Sequence, residues 1–368
     1  MPRVLFNMPS QYAGRPSGVA RMALELLDNL VGQGDFEYAL RSPWTRAQLP
    51  ESLRAKQLSV ITIERSNSRG LDVLRQTLTF PLFCRREKID LVVNLDPFGA
   101  ASGGRARMVI VHDIYFRTIP KQIRRRAIRT NDFILKLMLF GNSEVVTVSE
   151  ATKTDLEFWY PQAKGRVTAI HSATSLKPAA SSDNVREITS PYVLAVGNAT
   201  ENKNYGVLAE AMAKIYSLFP DVALVHVGDD DSEIIATTLK SLGSSLRLVR
   251  LKGIDDARLA RLYAHASCLC VPSLYEGFCL PVLEAQVCGC PVVCSNQSAT
   301  PEIAGQGALL FDPTDSVALA ECLRGLLTDK QASQRLTKLG YKNAERFSWA
   351  LAAAQYQKVF ERLLAGDR

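Results

Sequence analysis

The chain has 368 residues, of which 47% are hydrophobic and 22% charged, with a formal net charge of +7. That length allows two domains of ordinary size, each with its own core. No apolar run approaches the roughly 18 residues of a membrane span; the longest candidate, FILKLMLF at 133–140, is short and broken by Lys136.

The opening MPRVLFNM enters a β-type run directly, with no charged-then-apolar leader, so a cytoplasmic location is expected. Six apolar β-type runs follow in the first half: VLFNM, LSVITIE, IDLVVNL, RMVIVHD, EVVTVS and VTAIHS. Segments of helical length, such as VARMALELLDNL and DLEFWY, separate most of them. Gly18 opens the first helix after a loop with Gly14 and Pro16, where a backbone approaching phosphate closely would need glycine. His112 ends the strand VIVH and is followed by Asp113; a buried, capping histidine is the plain reading of that position.

Charge is uneven along the chain. Residues 1–175 carry 25 Lys+Arg against 16 Asp+Glu, a net of +9, and residues 176–368 carry 19 against 21, a net of −2. The densest piece is KQIRRRAIR, with Lys121, Arg124, Arg125, Arg126 and Arg129 and no acid, followed by the apolar Phe133, Ile134, Leu137 and Leu139. Two readings stand side by side: a solvated helix face, and a helix lying on an anionic membrane surface that presents an acceptor. No aromatic-interleaved basic groove or known motif accompanies it, so nucleic acid is not expected as a partner.

KPAASSDNVREITSP, 177–191, is rich in Ser, Ala and Pro, lacks apolar periodicity and reads as a linker. Beyond it come YVLAVGN, VALVHVGD, LRLVRLKG, SCLCVPS, PVVCSN and ALLFDP, again with helices between. Strands that are apolar throughout are covered on both faces, so two doubly wound, Rossmann-like α/β domains with parallel sheets are expected. The boundaries expected are 1–176, the linker 177–191 and 192–346, with a last helix over about 347–368. Six of the eight cysteines fall between Cys268 and Cys294. Their Cys-x-Cys pairs lack zinc spacing and sit in or beside apolar runs, so they read as reduced core thiols with no metal.

Ligands of doubly wound sheets bind beyond the carboxyl ends of the strands. There lies SLYEGFCLPVLEAQVCGCPVV, 273–293. A loop carrying Glu276 precedes a helix that opens near Leu280, with Pro281 tolerated just inside the helix start. Free N–H groups of Phe278, Cys279 and Leu280 would form an anion site there. Glu284, about one turn in, could accept both hydroxyls of a ribose. The diphosphate of a nucleotide would lie at the amides and Glu276 would face the sugar beyond. Lys203, opening a helix after the YVLAVGN strand, is placed to clamp a diphosphate.

These segments resemble the retaining glycosyltransferases of family 4, which have the GT-B fold. The resemblance is carried by the 273–293 motif, by YVLAVGN with ENKNYGVLAEAM, and by VHVGDDD, LKGIDDARLARLYAHASCLCVPS and LLFDPTD in the family's order. GVARMALELL, VHDIYF and VTVSEATKTDL match more loosely in the first half. It implies two domains facing a cleft, acceptor bound by the first and nucleotide sugar by the second, with the last helix packed back on the first. It assigns Glu276, His112 and Lys203 to catalysis and Gly18, Asn202, Lys203, Phe278, Cys279, Leu280 and Glu284 to the donor. The family usually has an arginine where Asn202 stands, and often a second glycine where Cys279 stands.

The function so implied is retaining, metal-independent transfer of a hexose from a nucleotide-diphosphate sugar, with a lean towards GDP-mannose. The sugar nucleotide is substrate, not cofactor. A saccharide or lipid-linked saccharide would accept it in polysaccharide or lipopolysaccharide biosynthesis, at the inner face of the membrane. The alternatives are a GT-B sugar-nucleotide epimerase and an inactive sugar-nucleotide-binding or partner protein. Two carboxylates also fit a glycosidase, but the phosphate-type loops around them do not.

Overall fold

A computed structural model of the chain describes residues 1–9, 18–63, 79–95, 99–119, 125–141, 144–180 and 185–366. The chain divides into two compact units, Met1–Ala173 with Phe347–Arg368, and Thr174–Arg346.

The first unit runs β1 (Arg3–Asn7), α1 (Gly18–Leu30), β2 (Glu37–Ser42), α2 (Glu51–Arg54), β3 (Ser59–Thr62) and α3 (described over 79–86). It continues with β4 (Leu91–Asn94), β5 (Ala106–Val111), α4 (Tyr115–Thr118), α5 (Arg125–Gly141), β6 (Glu144–Thr147), α6 (Glu150–Trp159) and β7 (Val167–Ala169). The seven strands lie in the order β3-β2-β1-β4-β5-β6-β7, and the pairs are parallel. Six β-type runs are legible in this half; the seventh strand, β2, is not. Only Tyr38, Ala39 and Leu40 are apolar there, flanked by Glu37 and Arg41. Pairing with β1, from Arg3↔Glu37 to Asn7↔Arg41, makes it a strand.

The second unit runs β8 (Tyr192–Val196), α7 (Tyr205–Tyr216), β9 (Ala223–Val227), α8 (Ile234–Ser241), β10 (Arg247–Leu251), α9 (Asp256–His265) and β11 (Cys268–Val271). Then follow α10 (Leu280–Val287), β12 (Val292–Ser295), α11 (Thr300–Ala304), β13 (Ala308–Phe311), α12 (Ser316–Thr328) and α13 (Lys330–Ala344). Its six strands, all legible in the sequence, take the order β10-β9-β8-β11-β12-β13. Asp315 and Asp329 cap α12 and α13, each carboxylate accepting two backbone N–H groups of the first turn. Cys268, Cys270, Cys288, Cys290 and Cys294 are buried, and burial raises every one of these thiols, Cys268 to about 12, so they stay neutral.

The last helix, α14 (Trp349–Ala365), belongs to the first unit, where it packs on α1 and against β4 and β5. Ser348 caps it by accepting from Leu351 N–H at 3.1 Å. Phe360 meets the rings of Phe6 and Phe36 edge-on at 6.3 and 5.9 Å. Arg362 reaches Glu144 of β6 at 2.8 Å.

Lys121 and Arg124 of the basic stretch lie outside the described residues. Arg125, Arg126 and Arg129 are exposed on α5. Leu139 is an interior residue, packed with Leu135 and Met138, because the helical period turns it inward. Phe133 and Phe140 point out instead, at 68% and 90% exposure. Among the described residues no helix is long and apolar enough to cross a membrane.

Phe360 is fully buried, so Phe360→Ala is expected to cost about 3–5 kcal/mol. Urea unfolding checks it through a lower midpoint at unchanged slope. A loss below about 1 kcal/mol would show that α14 adds little to this core.

Candidate active site

In the second unit the strand order reverses between β8 and β11, which are neighbours. Such a switch point leaves a crevice at the carboxyl ends, because the two outgoing loops turn to opposite faces of the sheet. The loop after β8 brings Asn202 and Lys203; the loop after β11 brings Ser273 and Glu276.

Lys203 ends a 3-10 turn, Glu201–Lys203, ahead of α7. Its Nζ lies 2.7 Å from Glu276 Oε1, and both side chains are largely buried, at 18% and 11% exposure. The Ser273 hydroxyl donates to the same oxygen at 2.6 Å. Glu276 N–H donates to Ser298 Oγ at 2.8 Å. Asn202 ties the loops together: its carbonyl accepts from Leu274 N–H at 2.8 Å, and its Nδ2 donates to Tyr275 O at 3.3 Å. Asn204 takes the left-handed conformation, φ 56, and donates to Pro272 O and Pro313 O at 3.1 and 2.7 Å. Asparagine tolerates that conformation better than most residues do.

Gly197 packs on the lysine stem. A Cβ built there would lie 3.4 Å from Lys203 Cε, and Gly197 itself sits at φ +127. The Gly197 carbonyl accepts from Tyr205 Oη at 3.3 Å and from His226 Nε2 at 2.8 Å. The imidazole is therefore the Nε2–H tautomer, and burial lowers its pKa.

The helix α10 opens at Leu280 with Pro281 in its first turn, as the sequence predicts. Cys279, at the cap, is left-handed with φ +76, and its side chain is buried. Phe278 is buried beside it and Leu280 is partly buried. Glu284, one turn in and only 7% exposed, accepts from the Tyr263 hydroxyl at 3.0 Å. Burial, and then the Glu284 charge, hold Tyr263 well above the usual phenol range, so it remains the donor.

Thus Asn202, Lys203, Glu276, Phe278, Cys279, Leu280 and Glu284 all sit on two neighbouring loops and one helix start. Gly18 and His112 belong to the first unit. Gly18 begins α1, and a Cβ there would meet nothing within 4 Å among the described residues, so none of these demands glycine at that place. His112, just past β5, donates from Nε2 to Leu95 O at 3.1 Å. Desolvation lowers its pKa to about 4, although part of the residue's surface remains accessible. Ser273, Ser298, Tyr205, His226 and Tyr263 are the residues that sequence reasoning misses here. Ser273, three positions before Glu276, and Tyr205, two after Lys203, carry a local signal; the others reach the site from parts of the chain distant in sequence.

The profile of the family described as Glycosyl transferases group 1 matches residues 178–343, and that of Glycosyltransferase Family 4 matches residues 16–177. The O-antigen chain mannosyltransferase B of Escherichia coli is 28% identical over 265 residues, 68% of this chain and 69% of that protein. The MMP alpha-(1->4)-mannosyltransferase of Mycolicibacterium hassiacum is 40% identical over 131 residues, 34% of this chain and 32% of that protein. A phosphatidyl-myo-inositol mannosyltransferase of Mycobacterium leprae is 31% identical over 46% of each chain. The match thus spans less than half of the last two relatives. Among solved structures, sucrose-phosphate synthase from Thermosynechococcus elongatus superimposes with a TM-score of 0.79 over 100% of both chains, at 20% identity. WaaG, a glycosyltransferase involved in lipopolysaccharide biosynthesis, gives 0.76 over 98% of this chain and 99% of its own, at 15% identity. These likenesses carry the GT-B fold.

The lowered pKa of His112 predicts a pH effect on stability. From about 6.5 down to about 4 the unfolded ring binds a proton that the folded ring refuses, so stability is lost as pH falls through that window. His112→Gln should flatten the fall, and urea midpoints at pH 7 and pH 4.5 read it. An unchanged pH slope would mean that the ring is not desolvated.

Proposed function

Because the chain belongs to the family 4 glycosyltransferases and has their GT-B fold, we propose that it moves a hexose from a nucleotide-diphosphate sugar to a saccharide or lipid-linked saccharide, with retention and without a metal. The observation that carries this reading is the Lys203–Glu276 pair at a switch point, beside a helix start that holds a second buried carboxylate, Glu284. Glu284 takes the ribose hydroxyls. Lys203 and the N–H groups of Phe278, Cys279 and Leu280 take the diphosphate, whose charge grows as it leaves. Asn202 holds the loop and adds no charge. Glu276 orients the sugar and offsets positive charge at its anomeric carbon, and His112 contacts the sugar. Gly18 leaves room for the donor beside the start of α1.

In the transfer step the bond from the anomeric carbon to the phosphate oxygen breaks. A bond from that carbon to the acceptor oxygen forms on the same face. The acceptor's proton passes to the departing phosphate. Mannose from a GDP donor is the favoured substrate, since the relatives above are mannosyltransferases by name. Polysaccharide or lipopolysaccharide assembly is the favoured setting.

The membrane is the second proposed partner. Arg126, Arg129, Phe133, Leu137 and Phe140 follow one another at helical spacing along the exposed side of α5. At the end of α6, Trp159 is 41% and Phe158 72% exposed. The Arg117 guanidinium lies over the Trp159 ring at 5.6 Å and pairs with Asp132 of α5, which fixes the end of α6 to α5. Cations with exposed aromatic residues suit an anionic bilayer surface.

Three measurements test these readings. Glu284→Ala should weaken GDP binding by about 2–4 kcal/mol with the fold kept, and Lys203→Ala should cut turnover strongly, while EDTA leaves the wild type active. Unchanged GDP affinity in the glutamate variant would remove the ribose assignment, and activity lost to EDTA and restored by Mg2+ would end the metal-free mechanism. Sedimentation with anionic vesicles should fall as salt rises, with each cation contributing about 1 kcal/mol. Replacing Arg125, Arg126 and Arg129 with Ser should lower it further and spare transfer to a soluble acceptor. Equal sedimentation of triple variant and wild type at low salt would return α5 to a solvated face.

A further inference from the structure

The first unit has its own switch point, between β1 and β4, and a row of polar side chains crosses it. Asn7, Arg41 and Asn94 stand at or near the carboxyl ends of β1, β2 and β4 and are in register, Asn7↔Arg41 and Asn7↔Asn94. The amides can be oriented from their partners. Ala100 N–H donates to Asn94 Oδ1 and Asn94 Nδ2 donates to Ala100 O, both at 2.9 Å. Asn94 Oδ1 also accepts from Asn7 Nδ2 at 3.0 Å. That leaves Asn7 Oδ1 facing Arg41, and it accepts from Arg41 Nη1 at 3.0 Å. Gly99 is required behind this row, because a Cβ there would lie 2.2 Å from Asn94 Oδ1.

Among the described residues the guanidinium so aimed meets no counter-charge. It lies over the rings of Phe80 and Phe83 at 5.1 and 5.5 Å. Among the described residues no carboxylate pairs with it. Among the described residues Cys84 is the titratable group that acts on it, and burial raises that thiol to about 11, so it stays neutral. Arg86, on the rim, already pairs with Glu87 at 3.2 Å. Among the described residues one of the five guanidinium N–H donors meets a protein acceptor, and burial lowers the Arg41 pKa. A half-buried, unpaired cation destabilises a fold unless something else completes it. Beside it opens a cavity of about 430 Å³, lined by Arg41 and Arg86 and by Ile61, Ile63, Phe80, Leu82, Phe83 and Thr79. Five of these eight lining residues are apolar, and none of them is an acid.

We propose that this cavity binds the phosphate of a lipid-linked acceptor, with Arg41 gripping the phosphate oxygens and the apolar wall taking the first part of the hydrocarbon chain. The inference rests on the transferase reading for the word acceptor and on the first unit alone for the site. An arginine fork matches two phosphate oxygens and is already oriented by Asn7, so little order is lost on binding.

Calorimetry with farnesyl phosphate tests it, with farnesol, farnesoic acid and inorganic phosphate as comparisons. Wild type should bind farnesyl phosphate saturably, and farnesol and inorganic phosphate each at least tenfold more weakly. Arg41→Met should lose at least tenfold in affinity for farnesyl phosphate without a lower melting temperature, since it removes a partly buried cation that no carboxylate among the described residues offsets and keeps an apolar chain against the two rings. Ile63→Asp, which places a carboxylate in the cavity wall, should also block binding and keep or raise the melting temperature. Equal affinity in wild type and Arg41→Met would overturn the proposal. So would farnesol bound as tightly as its phosphate, farnesoic acid bound more tightly than the phosphate, or a melting temperature lowered in both variants, which would make Arg41 a packing residue. GDP binding, measured in parallel, should be the same in all three proteins. A wild type that binds farnesyl phosphate and no GDP would count against the transferase reading and not against the cavity.

Discussion

The pair between Lys203 and Glu276 is the contact that the second unit is arranged to maintain. Two opposite charges, both largely covered by protein, gain from each other only if the geometry is good and their remaining hydrogen-bonding capacity is met. The neighbours supply this: Ser273 donates to the same carboxylate oxygen, and Ser298 accepts the Glu276 N–H. Asn202 sews the two loops together, so the backbones that carry the two charges stay side by side. Asn202 therefore has a clear structural use even though it brings no charge. In the proposed reaction the phosphate competes for Lys203, and a glutamate released from its partner turns to the sugar.

Holding that geometry requires unusual backbone. Cys279 is left-handed where glycine would cost less, a penalty of roughly 1–2 kcal/mol for a residue with a Cβ. Its buried side chain offsets part of this. Gly228 has no such freedom: a Cβ there would sit 2.4 Å from Gly197 O, the carbonyl that His226 and Tyr205 hold. The support is thus a chain of contacts, from the ends of β8 and β9 through Gly197 to the stem of Lys203.

The first unit treats its own switch point differently. There the polar residues are amides in a row, neutral and mutually satisfied, ending at one guanidinium. The same topology carries a paired charge in one unit and, in the other, a guanidinium that no carboxylate among the described residues pairs. Pairing suits a site whose ligand brings both an anion and a sugar; a lone cation suits a ligand that brings only an anion.

The sequence by itself determined the fold class and most of the charged site. Runs apolar throughout specify parallel strands covered on both faces, and twelve of the strands were legible for that reason. Glu276, Pro281 and Glu284 lie within one short segment whose spacing fixes a loop and a helix start, whereas Lys203, 73 residues before Glu276, meets it only because β8 and β11 are neighbours. The strand β2 stayed hidden because its pairing, not its composition, makes it a strand. The partners Tyr263, Ser298 and His226 stayed hidden because they reach the site across the fold: Tyr263 lies 21 residues before Glu284, and Ser298 lies 22 after Glu276. The state of Arg41 was also settled only by tertiary structure. Whether a cation has a partner depends on which strands lie side by side, and strand order is a long-range property that no local pattern encodes.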